Sequence, residues 1–118
     1  METKGVQFSA CFWGVSAKLL DDLDFCANVI LETCVIANCE VLNIHKHKFS
    51  PQGVSINATL STSHCAIHTW PEKSYCAIDL YGCGSEEDMD KGIAYLVQAL
   101  SPSYSQIDKK FRGVRHDQ

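Results

Sequence analysis

Between Glu40 and Tyr81 the chain alternates apolar and polar residues in four short runs, and the connections between those runs are short enough for hairpins. Glu40 to Phe49 sets Leu42 and Ile44 against Asn43, His45, His47 and Phe49. Ser50-Pro51-Gln52-Gly53 has the composition of a turn. Val54, Ile56, Ala58 and Leu60 then oppose Ser55, Asn57 and Thr59. His64 to Trp70 and Tyr75 to Tyr81 repeat the pattern, joined by Pro71-Glu72-Lys73-Ser74. Parallel neighbours would need crossovers of about a dozen residues or more, so these strands pair antiparallel.

The flanks supply what covers such a sheet. Gly5 to Trp13 alternates as a further strand and ends at Gly14. From about Ser16 to Asn38 apolar residues recur at Leu19, Leu23, Ala27, Ile30, Cys34 and Ala37, which predicts one amphipathic helix with Ser16, Asp21 or Asp22 as its cap. Ser85 followed by Glu86, Glu87 and Asp88 opens a second helix, since acidic residues favour the positive end of the helix dipole. Its stripe is Met89, Ile93, Leu96, Val97 and Leu100; Pro102 ends it, and Tyr104 to Val114 reads as a last strand. The fold expected is α+β: one domain over residues 1–118, a two-layer sandwich whose mainly antiparallel sheet carries two helices on one face.

Charge and cysteine usage narrow the partners. A net charge of -4 argues against nucleic acid, whose phosphates call for clustered Lys and Arg. No apolar run reaches the ~18 residues of a membrane span, and no secretory leader pattern opens the sequence. Seven cysteines, an odd number without a C-x-x-C pair, fit neither a full disulfide framework nor a common zinc spacing. A reducing cytoplasm, with most thiols acting as small core hydrophobes, accommodates them.

Strand parity sorts the side chains onto two faces. The helices should cover Val54, Ile56, Ala58, Leu60, Cys65, Ile67, Cys76, Ile78 and Leu80. The other face receives Asn43, His45, His47, Phe49, Ser55, Asn57, Thr59, His64, His68, Tyr75, Asp79, Tyr81 and Cys83. Titratable and aromatic residues from several strands thus converge where no helix lies, which marks a ligand site, a dimer interface or both. His45, His47, His64 and His68 share this face, but their spacing matches no common zinc site, so no metal is expected. Ser63 is out of step: in a regular strand it would point with Cys65, away from His68, and a bend or bulge would be needed to redirect it.

Three segments carry a family resemblance: F-x-P-x-G-V-S from Phe49 to Ser55, S-x-S-H-x-x-I-H-T-W-P-E from Ser61 to Glu72, and D-L-Y-G-C-G from Asp79 to Gly84. Together they resemble the small prokaryotic S-adenosylmethionine decarboxylases, and the order of strands and helices matches over nearly the whole chain. The resemblance implies a proenzyme that cuts itself. Ser63 would attack the carbonyl of Thr62, and elimination would leave a self-generated pyruvoyl group at position 63, dividing the chain into a β subunit (1–62) and an α subunit (63–118). His68 matches the processing base and Ser55 the hydroxyl that supports processing. The pyruvoyl carbonyl would form a Schiff base with the amine of the small-molecule substrate and take up the electrons left by departing carbon dioxide. Cys83 matches the proton donor to the product, Phe49 the ring that stacks on adenine, and Glu72 the carboxylate that binds the ribose hydroxyls. The product would donate the aminopropyl group for spermidine synthesis, and the αβ protomers would pair as a homodimer.

The chain departs from the family pattern at several positions. Thr62 stands where a Glu usually precedes the processed serine, Lys73 and Ser74 follow W-P-E in place of an aromatic and Gly, and Gln7 replaces a common His. Two other readings follow from these departures. One keeps the pyruvoyl chemistry but moves the substrate to arginine or ornithine, since specificity lies in the side-chain pocket. The other is an unprocessed pseudoenzyme that regulates an active paralogue.

Overall fold

The period-two segments form six antiparallel strands in the computed structural model, which describes residues 3–115. These are β1 (Gly5–Trp13), β2 (Val41–Lys48), β3 (Val54–Leu60), β4 (His64–Trp70), β5 (Tyr75–Gly82) and β6 (Tyr104–Arg112), arranged β2-β3-β4-β5-β1-β6. Alternate residues of the central strands are buried. Phe12, Ile56, Ile67, Ile78 and Leu80 are almost wholly withdrawn from water, and each such side chain contributes about 1.5–3 kcal/mol of transfer free energy.

Helices α1 (Ala17–Leu20), α2 (Leu23–Ile36) and α3 (Glu86–Leu100) cover this apolar face. The two longer ones pack on each other through Gly92, where a Cβ would come within 3.1 Å of Ala37 Cβ and 3.4 Å of Thr33 O. The two-layer α+β arrangement is the one expected. At the far edge β6 is exposed along its whole length, and Lys109 ties it to α3 by ion pairs with Glu86 and, at 2.9 Å, Asp90.

Two local expectations are corrected. The single helix predicted from about Ser16 to Asn38 is broken at Asp21–Asp22. The Ser16 hydroxyl accepts Leu19 N–H at 3.3 Å and caps α1, while Asp22 accepts Phe25 N–H at 3.0 Å and caps α2. A carboxylate that captures the amide three residues ahead starts a new helix, and it prevails over the continuous apolar stripe. The second correction is in β2, where the pairing register slips between Val41 and Asn43. This bulge throws Leu42 outward to 62% exposure, so Val41 and Ile44, rather than Leu42 and Ile44, pack on the core.

Candidate active site

The residues singled out from the sequence fall into two groups at opposite ends of the helix-free face. One end is the β3–β4 turn. Leu60 N–H donates to Ser63 C=O at 2.8 Å, closing a loop of Ser61 and Thr62, and Ser61 N–H donates to Glu40 C=O at 3.0 Å. The Thr62 hydroxyl accepts Cys83 N–H at 3.4 Å, so the turn leans on the exit of β5. Ser63 lies in this turn, outside the strand that begins at His64, and its Oγ stands 3.3 Å from His64 Nδ1. Strand parity does not apply to a turn residue, and no bulge in β4 is needed to redirect it.

His64 is paired across the sheet with Tyr81, and the two rings meet edge-on at 5.9 Å. The Arg112 guanidinium lies 4.5 Å from the centre of the Tyr81 ring and donates to Gln7 Oε1 at 3.2 Å. Cys83 is half-buried beside Gly5 and lines a cleft of about 320 Å³ with Lys4, Gly84, Ser85, Glu86 and Phe111.

The other end is built on strand interiors. Ser55 and His68 are direct cross-strand partners, and Ser55 Oγ lies 2.7 Å from His68 Nδ1. His68 lines a second cleft, of about 380 Å³, together with Phe49, Gln52, Val54, Thr69, Trp70 and Glu72. Buried anchors hold this end. Thr69 Oγ1 donates to Leu20 C=O at 2.7 Å and accepts Val54 N–H at 2.9 Å, joining α1, β4 and β3. Asp21 accepts Gly53 N–H at 2.8 Å and Lys48 Nζ at 2.6 Å, and both bonds hold its carboxyl below the ordinary range. Gly53 itself has φ +104°, and a Cβ there would come within 3.1 Å of Thr69 C=O, so the turn needs glycine.

Phe49, Ser55, His68 and Glu72 are therefore brought together, and so are Thr62, Ser63 and Cys83. The two groups are not brought together within one chain. His64 and His68 are four residues apart on one strand, which at ~3.3 Å per residue places about 13 Å between their Cα atoms.

Sequence reasoning missed the contact of His64 with Ser63, because neighbours in a strand point to opposite faces; the adjacent serine in a hairpin turn was the available signal. It also missed a row of rings across the sheet at the cleft end. Trp13 stacks at 5.2–5.5 Å on Tyr75 and Tyr104, and Trp70 meets Tyr75 at 5.3 Å. Tyr75 donates to Cys11 Sγ at 3.2 Å, and that bond with partial burial pushes its phenol up to about 12.

All seven cysteines carry thiols rather than disulfides. Burial pushes Cys26 and Cys76 up to about 12 and Cys39 up to about 11, while a hydrogen bond with Cys34 holds Cys65 well above the ordinary thiol value. These four are core groups in their protonated form, and Cys83 is set apart by its place at the cleft.

The family model described as S-adenosylmethionine decarboxylase matches residues 7–113. The chain is 38% identical over 112 residues to S-adenosylmethionine decarboxylase proenzyme 2 of Bacillus cereus, covering 95% of this chain and 91% of that one. It is 34% identical over 117 residues to the S-adenosylmethionine decarboxylase proenzyme of Pyrococcus abyssi, covering 99% and 84%. The crystal structure of the adenosylmethionine decarboxylase from Aquifex aeolicus superimposes with a TM-score of 0.90 at 26% identity, over 100% of this chain and 98% of that one.

Proposed function

The chain belongs to the S-adenosylmethionine decarboxylase family, whose members carry a self-generated pyruvoyl group, and on that premise we propose that it is a proenzyme cleaving itself between Thr62 and Ser63 to become a decarboxylase of S-adenosylmethionine. The observation that carries this reading is the β3–β4 turn, which presents the Thr62–Ser63 peptide half-buried beside Cys83. The residues there fit the group. A serine hydroxyl is available to attack and to leave, the turn is tied on both sides, and a thiol stands at the neighbouring strand exit. Once formed, a pyruvoyl group supplies an electron sink for the electrons left on the substrate as carbon dioxide departs.

The chain's own side chains divide the remaining work. His68, held at Nδ1 by Ser55, takes the Cα proton of residue 63 in the elimination that follows ester formation. The Cys83 thiol delivers a proton to the carbon that lost carboxylate. In the cleft of about 380 Å³, Phe49 offers its ring to the adenine and Glu72 its carboxylate to the ribose hydroxyls.

His68 cannot reach Ser63 of its own chain, and this separation supports a homodimer. A second copy laid across the helix-free face about a two-fold axis would bring His68 and the cleft of the partner subunit over Ser63 and Cys83, and the same operation would complete a second site. The exposed rings Trp70 (42%) and Tyr104 (57%) on that face would be covered. Cleavage would give a β subunit of residues 1–62 and an α subunit of 63–118. No helix among the described residues is long and apolar enough to cross a membrane, and the thiols fit a reducing cytosol.

Intact mass spectrometry of the purified protein tests the reading. Two fragments meeting at Thr62/Ser63, the second lacking its serine nitrogen, are expected; a single 13.1 kDa species at full maturity would sink it. Carbon dioxide release from S-adenosylmethionine, with arginine and ornithine as parallel arms, then fixes the substrate.

A further inference from the structure

We propose that His64 is the base that opens maturation. Its Nδ1 takes the hydroxyl proton of Ser63 as Oγ attacks the Thr62 carbonyl carbon. This rests on the reading of the chain as a self-cleaving proenzyme and assigns a proton that reading leaves without an acceptor. Elimination removes hydrogen from Cα of residue 63, whereas the earlier acyl shift removes it from Oγ. The two steps involve different atoms at different times, and one histidine need not serve both.

The geometry separates the two candidates. His64 Nδ1 stands 3.3 Å from Ser63 Oγ within the same chain, whereas the chain's own His68 lies about 13 Å farther along β4, and the His68 that a partner would bring to Ser63 has its Nδ1 already engaged by Ser55. The reacting peptide is held from both sides by the bonds of Leu60 N–H to Ser63 C=O and of Cys83 N–H to the Thr62 hydroxyl. The imidazole is confined too. It packs edge-on to Tyr81, whose ring is covered in turn by Arg112. A separation of 3.3 Å is slightly long for a hydrogen bond, as catalytic contacts commonly are before charge develops.

The step balances within the chain. Oγ–H breaks and the proton goes to Nδ1 of His64; the bond from Oγ to the Thr62 carbonyl carbon forms. The bond from that carbon to the Ser63 nitrogen then breaks, and His64 returns the proton to the departing nitrogen. The products are an ester at Ser63 Oγ and a free amine, with no external acid, base or oxidant.

Purified wild type, His64→Gln, His64→Ala and His68→Ala are incubated and followed by intact mass, each with and without hydroxylamine, which cleaves esters and spares amides. Wild type is expected to mature. Both His64 variants should slow by about 10²-fold or more and remain hydroxylamine-resistant, because they stop before the ester. Free imidazole should partly restore His64→Ala, a gain that a merely structural role would not give. His68→Ala should instead accumulate hydroxylamine-sensitive chains. His64→Gln keeps a polar side chain at the position, and a melting curve superimposable on that of wild type identifies the block as chemical. Maturation of both His64 variants at the wild-type rate, or hydroxylamine-sensitive chains in them, overturns the role of His64 while leaving the proenzyme reading intact. Failure of wild type to mature overturns both.

Discussion

The two ends of the helix-free face are made of the same residue types but built differently. At the turn end backbone bonds of 2.8 and 3.0 Å close the loop, but the side-chain contacts are long: 3.4 Å from the Cys83 amide to Thr62 and 3.3 Å from Ser63 to His64. The residues concerned are exposed or half-buried. At the cleft end the bonds are 2.7–2.9 Å, from Ser55–His68 and from Thr69 and Asp21 to their backbone partners, and they lock onto α1 and the core. On the proposed function the Thr62–Ser63 peptide has to move as its carbonyl carbon becomes tetrahedral, and a turn whose side-chain contacts are long permits that. A cleft that discriminates among substrates loses affinity with every freedom it keeps, so it is set on strand interiors with buried anchors. On the proposed function the contrast also accounts for a site shared between two copies, because rigid strands fix the two ends apart within one chain.

The sharpest way to break this comparison is to place the two ends on different chains. Ser63→Ala alone should abolish cleavage, since no hydroxyl remains to attack or leave, and His68→Ala alone should stall. Co-expressed, a mixed dimer has one competent site, made of Ser63 from the His68→Ala chain and His68 from the Ser63→Ala chain. Cleaved His68→Ala chains in the mixture, seen by intact mass and absent from either variant alone, are expected. No cleavage in a verified mixed dimer would mean that each site is built within one chain.

What the sequence made legible follows the same division. The strands and their two faces could be read because period-two alternation survives wherever one face is buried. Phe49, Ser55 and His68 of the cleft end were legible on the open face for that reason, whereas Glu72, in the turn after β4, came only from the family resemblance. The helix break was not, because the stripe from Leu19 to Ala37 runs through Asp21 and Asp22 without a gap, and only the capping bond to Phe25 N–H reveals a second start. The bulge at Leu42 was hidden because an apolar residue sits where the regular pattern wants one. At the turn end Ser63 obeys no periodicity, so its contact with His64 depends on turn geometry that composition does not encode. The gap between Ser63 and His68 was present all along in the strand spacing.

A milder perturbation tests whether the cleft end is the rigid one. Thr69→Val keeps the shape of the side chain but removes the bond to Leu20 C=O and leaves Val54 N–H without its partner. A buried donor and acceptor left unsatisfied cost about 1–3 kcal/mol each, with partial relief as the site relaxes. Global stability by urea denaturation should fall by about that much, and binding in the cleft should weaken. Ester formation at Ser63, read as hydroxylamine-sensitive chains, draws only on the turn end and should proceed at close to the wild-type rate in folded protein. An equal loss of ester formation would erase the distinction between the two ends.

The smallest effect concerns Asp21, which pins the turn carrying Phe49 to the end of α1. Lys48 and the Gly53 amide both favour its ionised form, so its folded value lies below the unfolded one, about 3.9 for a free aspartate. The sign is that of a depressed carboxylate. The stability it contributes is fully present above the unfolded value and is lost as pH falls through the folded one. The group is solvent-facing and screened by salt, so the effect is a shift in melting temperature of at most a few degrees. Wild type should therefore lose melting temperature more steeply than Asp21→Asn on acidification below about pH 4, and added salt should narrow the difference. Parallel curves for the two proteins would show that Gly53 is held by its own backbone conformation, and the anchoring of the cleft end would then rest on Thr69 alone.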